Sequence, residues 1–104
     1  MNTIAITEVA RLNNAAGFQW FERGTLRFFR SRYSSLAYLT EDGTTAYFVS
    51  SEADGLDGVR LYSVRVAVIT GPNAGSIDTV GEFQQYATRG TADRVARRLA
   101  KGTA

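Results

Sequence analysis

In 104 residues there is room for one hydrophobic core, and a 44% hydrophobic, 12% aromatic composition can fill it, which excludes a disordered chain. The sequence holds no cysteine and no histidine. That removes disulfide frameworks, thiolate metal sites and the commonest general base together. The formal net charge of +2 is small but unevenly spread: four arginines stand against Glu22 between Glu22 and Tyr33, five carboxylates and no base lie between Glu41 and Asp57, and five bases stand against Asp93 from Arg89 to Lys101.

A single α+β domain over residues 1–104 is expected, with an N-terminal helix at 8–16. Thr7 is placed to cap that helix, Glu8 to complement its dipole, Val9, Ala10 and Leu12 to form its apolar stripe, and Gly17 to end it in the left-handed conformation. Phe18, Trp20, Phe21, Phe28 and Phe29, interrupted by Gly24, are expected at the corner where the helix meets a sheet. Strands at 36–40 and 46–50 flank Glu41-Asp42-Gly43-Thr44, and Asp-Gly between apolar runs predicts a tight primed hairpin turn. The acidic, glycine-punctuated stretch 52–58 reads as an exposed loop. A long strand at 59–69 places Tyr62, Val64, Val66 and Val68 on an apolar face and Ser63, Arg65 and Ala67 on a wetter one. Gly71 to Gly75 makes a turn, and a fourth strand at 77–86 carries Gly81 as a bulge. A second helix follows at 91–101, with Thr91 as its cap and Gly102 closing it. Ala92, Val95, Ala96 and Leu99 fall on its sheet-facing side, and Arg94, Arg97, Arg98 and Lys101 on the opposite one. Short connections predict an antiparallel meander of four strands.

The chemistry points to binding rather than catalysis. Ser34, Ser35, Ser50 and Ser51 have no histidine to activate them. The carboxylate pairs Glu52–Asp54 and Asp78–Glu82 read as solvated groups, and residues 52–58 lack the ligand spacing and terminal glutamate of a calcium loop. There is no P-loop and no G-x-G-x-x-G motif. No enzyme activity, cofactor or metal is expected. What stands out is basic and aromatic. Lys101 is the sole lysine among twelve basic residues, and arginine's planar fork suits phosphates, carboxylates and aromatic faces. An arginine-rich composition is also what a GC-rich genome yields, and the competing reading of each cluster is a solvated face. Candidate binding residues are Arg27, Arg30 and Arg32, interleaved with Phe28, Phe29 and Tyr33; Arg65, which with Arg60 flanks Tyr62; and Arg94, Arg97, Arg98 and Lys101. A basic helix on a small antiparallel sheet matches double-stranded-RNA-binding domains in layout alone. No run approaches the roughly 18 apolar residues of a membrane span, and no basic segment precedes an apolar run at the start, so a cytoplasmic location is expected.

Residues Trp20 to Arg32 (WFERGTLRFFRSR), Tyr47 to Glu52 (YFVSSE), Leu61 to Arg65 (LYSVR) and Asp78 to Tyr86 (DTVGEFQQY) resemble a family of short, functionally uncharacterised proteins of phages, plasmids and bacterial genomes. The likeness extends from about Ala16 onward, with Leu26 standing where methionine is usual. It implies a mobile-element setting in a bacterial host but no activity and no site. Small proteins of such elements often act stoichiometrically, for instance by blocking a host defence complex as anti-CRISPR proteins do. The expected partner is therefore a host protein or nucleoprotein complex, with nucleic-acid binding as the alternative and a carboxylate-dependent enzyme as a remote one.

Overall fold

Two nine-residue runs rich in β-branched and aromatic residues, TAYFVSSEA and RLYSVRVAV, frame the molecule. In the computed structural model, which describes residues 2–18, 32–53 and 58–102, they form β4 (Thr45–Ala53) and β5 (Arg60–Val68). These pair antiparallel along their whole length, from Thr45 opposite Val68 to Ala53 opposite Arg60. Four shorter strands complete the sheet: β1 (Thr3–Ala5), β2 (Arg32–Tyr33), β3 (Leu36–Leu39) and β6 (Ile77–Val80). The order is β1-β3-β4-β5-β6, with β2 also on β4. Helix α1 (Ile6–Ala15) follows β1 directly, and α2 (Arg89–Ala100) ends the described chain. The protein is α+β with an antiparallel sheet, as expected, but among the described residues the strands number six rather than four. The two additional strands span three and two residues, too short to show an alternation.

β2 and β3 run along the same edge of β4. Tyr33 lies opposite Ser50 and Tyr38 opposite Tyr47, so the chain advances five residues while its partner advances three. Ser34 and Ser35 absorb the difference as a bulge, where Ser34 Oγ donates to the Leu36 carbonyl. Pairing fixes two sheet faces. One carries Ala37, Ala46, Phe48 and Ala67, which pack with Val9 of α1. The other carries Val49 and Val64, packed with Ala92 and Ala96 of α2.

Several local expectations change. α1 begins at Ile6, capped at Ala5 without a side-chain bond, because β1 leads into it with no intervening turn. Its end is as read: Gly17 has φ +82°, and Gly17 and Phe18 donate back to the carbonyls of Asn14 and Asn13. α2 is capped by Thr88, whose hydroxyl accepts from the Thr91 amide, so Thr91 lies inside the first turn. The β3–β4 turn is not primed. Thr40 and Thr45 close a four-residue loop with Gly43 at φ +72°, and Asp42 instead accepts from the Thr40 hydroxyl and from the amide and hydroxyl of Thr44. Those bonds hold the Asp42 carboxyl below its ordinary pKa, the Thr40 hydroxyl contributing most.

The stretch beginning at Glu52 is not an exposed loop at its start. Glu52 and Ala53 are the last residues of β4, and both are buried. The expected wetter face of β5 is buried too: Ser63, Arg65 and Ala67 are closed off from water. The strand begun at Ile77 stops at Val80, the chain loops out at Gly81, and Tyr86 rejoins β5 opposite Tyr62. The stripe of α2 is centred on Ala92, Ala96 and Ala100, which are buried, while Val95 and Leu99 flank it half-buried. Of the aromatics expected at the corner, Phe18 is exposed, and Trp20, Phe21, Phe28 and Phe29 lie outside the described residues.

Candidate functional site

The residues singled out by sequence fall in three places. Arg27 and Arg30 lie outside the described residues.

Arg65 is on the sheet face opposite α2 and is 7% exposed. Its Nη2 donates to Glu52 Oε1 at 3.1 Å, its Nε to Ser50 Oγ at 2.9 Å and its Nη1 to Thr79 Oγ1. Ser50 Oγ donates in turn to Glu52 Oε1, and Glu52 Oε2 is buried with no hydrogen-bond partner. Phe83, from the loop after Gly81, lies over the guanidinium with its ring centre 5.3 Å away. Gln84 anchors that loop at φ +58°, its amide donating to Ser63 Oγ and its Nε2 to the Glu52 carbonyl. A buried ion pair of this kind contributes little net stability, but removing one partner strands the other charge. Arg65 therefore organises the interior and does not present itself to a partner. Ser50, fully buried, is likewise closed to a substrate.

Arg94, Arg97, Arg98 and Lys101 come together on α2 as expected, all four exposed. Ala92, Ala96 and Ala100 hold the opposite side against β4 and β5, and alanine's small volume lets the helix lie close. Tyr38 of β3 pins the helix laterally: its hydroxyl donates to Asp93 Oδ1 at 2.6 Å, and Arg97 lies over its ring at 5.4 Å while donating to its oxygen. Tyr38 foremost, then Asp93, raise the Arg97 pKa above its ordinary value. Arg97 and Lys101 border a groove with Thr3, Leu36 and Tyr38, and Leu36 is 48% exposed there. Asp93 is the one carboxylate of the helix.

Arg32 belongs to neither group. Register puts it opposite Ser51, which lies opposite Tyr62 on the far side of β4, and Arg60 follows two pairs along opposite Ala53. All four side chains share the face that α2 covers, and Arg89 enters from the first turn of α2. They enclose a cleft of about 190 Å³ lined by Arg32, Arg60, Arg89, Tyr62, Ser34 and Ser51 above Val49, with Tyr33 and Ser50 completing it. Arg60 is held by Nη1 bonds to the Ser51 carbonyl and hydroxyl. Sequence reasoning grouped Arg32 with Arg27 and Arg30 and counted Arg89 only in the basic stretch that runs to Lys101. Only pairing register unites Arg32, Arg60 and Arg89.

Among the described residues no cluster of three potential metal ligands occurs, and no helix is long and apolar enough to cross a membrane. The model of a family of unknown function (DUF7447) matches residues 5–97. No curated protein and no solved structure matches the chain.

Proposed function

We propose that this chain, which belongs to the family of unknown function matched over residues 5–97, is an accessory protein of a phage or other mobile element that acts in the bacterial cytoplasm by binding, not by catalysis. Its partner is the acidic surface of a host protein or nucleoprotein complex, a host defence complex being the class it would block stoichiometrically. The observation that carries the reading is the outer face of α2. Arg94, Arg97, Arg98 and Lys101 project from a helix anchored by buried alanines, with Asp93 as its single carboxylate. A rigid cationic ridge of this kind steers association with an anionic surface and loses its advantage as salt rises. Nucleic acid is the second reading, because Arg32, Arg60 and Arg89 gather on the same side of the sheet.

The test replaces Arg94, Arg97, Arg98 and Lys101 with glutamine. The fold should stay intact, since all four residues are exposed, and the largest single cost is about 1 kcal/mol for the Arg97 contact with Tyr38. The folded variant should lose biological activity in the native host. It should also lose salt-sensitive capture of the host complex while added nucleic acid leaves capture by the parent chain unchanged. Retention of the parent on duplex DNA, with a salt slope that falls as each cation is removed, would favour the nucleic-acid reading. Full activity of the folded quadruple variant would overturn the assignment to α2. Multiple turnover abolished by a single carboxylate-to-amide change would overturn binding altogether.

A further inference from the structure

Helix α2 packs mainly on β4 and β5 and less on β3, which leaves the β1 end of the same sheet face open. Pairing puts Thr3 opposite Tyr38 and Ala5 opposite Leu36, so these four side chains share the α2 side. Thr3 and Ala5 are exposed, and Leu36 is 48% exposed. Arg97 and Lys101 stand beside this floor, lining a groove with Thr3, Leu36 and Tyr38. The Tyr38 ring, 5.4 Å away, and Asp93, at 3.7 Å, hold Arg97 in place. Lys101 also borders an adjoining hollow with Asn2 and Glu41. The cations therefore gather toward the Thr3 end of the groove, and the apolar floor of Ala5 and Leu36 lies at the other.

β1 is the last of the described strands on this side of the sheet. The Asn2 carbonyl accepts from the Leu39 amide, and the Ile6 amide donates to the Ser35 carbonyl. Antiparallel pairing then directs Asn2, Ile4 and Ile6 inward to β3, and turns the amide and carbonyl of Thr3 and the amide of Ala5 outward. An edge of this kind can accept one more strand.

We infer that this edge and groove take an extended acidic segment of the partner protein, added as a strand on β1. The inference rests on the reading of α2 as the partner-facing ridge, and it narrows the partner to a protein with an acidic, strand-forming segment. Main-chain bonds to Thr3 and Ala5 supply the pairing, and side chains supply the selectivity. Every second residue of the added strand lies on the α2 side. Beside Ala5, whose side chain is small, one apolar group lies across the floor toward Leu36. Beside Thr3, the next residue on that side faces Arg97 and Lys101, where a carboxylate is attracted and a cation repelled.

Three synthetic peptides of valine and threonine test the site by calorimetry on the full chain. One ends in three glutamates, one ends in three lysines, and one keeps the glutamates but has N-methylated backbone amides. The glutamate peptide should bind, and the other two should bind roughly tenfold more weakly or worse. On binding, the outward amides of Thr3 and Ala5 should become slow to exchange with deuterium, which side-chain contact alone would not produce. Ala5 has φ −64° and ψ 140°, a conformation proline adopts, and its amide points outward. Ala5→Pro therefore removes a donor from the edge while the melting temperature stays in place. It should weaken the glutamate peptide roughly tenfold, although all four cations of α2 remain.

Failure of the parent to bind the glutamate peptide, equal binding of the lysine peptide, or binding indifferent to Ala5→Pro would each overturn the site. So would a dimer of the chain that Ala5→Pro dissolves, which would give the edge to a second copy, or an oligonucleotide that protects the same two amides. Capture of the host complex separates this inference from the reading it rests on. If Ala5→Pro captures the complex like the parent and the quadruple glutamine variant does not, the ridge stands and the added strand falls. The reverse result would overturn the ridge and leave the strand pairing on β1.

Discussion

At Gly75 the chain has φ +97°, and a Cβ there would lie 2.5 Å from the Leu12 carbonyl oxygen and 2.9 Å from its carbon. Both atoms are backbone of α1, so no rotamer change relieves the contact. The carbonyl of Gly75 itself accepts from the buried Nδ2 of Asn13 at 2.8 Å, which ties α1 to the β5–β6 turn. Gly75→Ala should therefore cost more than the roughly 1–2 kcal/mol of the left-handed conformation alone, reaching about 3 kcal/mol as the Asn13 bond is displaced. Gly43 is the control: its φ is +72° with nothing within 4 Å, so Gly43→Ala should show only the conformational penalty of about 1–2 kcal/mol. Urea unfolding of the two variants measures the difference, and equal losses would contradict the close approach. Gly71 to Gly75 was legible as a turn because glycine and proline punctuate locally. That α1 rests on it was not, since Asn13 and Gly75 are 62 positions apart. Arg65 and Glu52 illustrate the same limit. Each looks like a solvated charge in its own segment, and only strand pairing brings them face to face.

Among the elements, α2 was the most legible and still shifted in detail. Its apolar positions form a stripe roughly 100° wide, and sequence alone weights that stripe toward the larger Val95 and Leu99. In the fold, Ala92, Ala96 and Ala100 hold the centre, because a helix seated closely on β4 and β5 has room only for methyl groups there. Leu99→Ala should accordingly cost about 1–2 kcal/mol, below the roughly 2–5 kcal/mol of a fully buried leucine. Ala96→Leu should cost at least as much, about 1–3 kcal/mol, by overpacking. Thermal unfolding of both variants decides the order; a much larger loss for Leu99→Ala would return the leucine to the centre. The cap moved from Thr91 to Thr88 for a related reason. Two threonines three positions apart offer the same chemistry, and the approach of the chain from Tyr86 selects between them. β1 and β2 left no periodic signal, because strands this short are held by pairing with β3 and β4 and not by their own propensity.

For the molecule as a whole, β4 and β5 are the shared wall of two cores. Phe48, Ala46 and Ala67 turn toward Val9 of α1, while Val49 and Val64 of the same strands turn toward Ala92 and Ala96 of α2. The basic ridge on α2 was readable as helix periodicity. The arginine cleft was not, because its members come from residues 32, 60 and 89 and meet only once β2, β4, β5 and α2 are assembled. Since successive pairs from Thr45–Val68 to Ala53–Arg60 face the two cores in alternation, neither core can come apart without unzipping the wall of the other. Unfolding should then be one cooperative event. Val9→Ala and Val64→Ala, each deleting two buried methyl groups on opposite faces, should each cost about 2 kcal/mol. Lacking shared partners, their effects should add within roughly 0.5 kcal/mol in the double variant. Far-UV circular dichroism and the most protected amides of β4 and β5 should report the same midpoint and the same loss in all three variants. Two separated transitions, or amides near Ala92 and Ala96 that keep full protection after Val9→Ala, would show instead that the cores are independent.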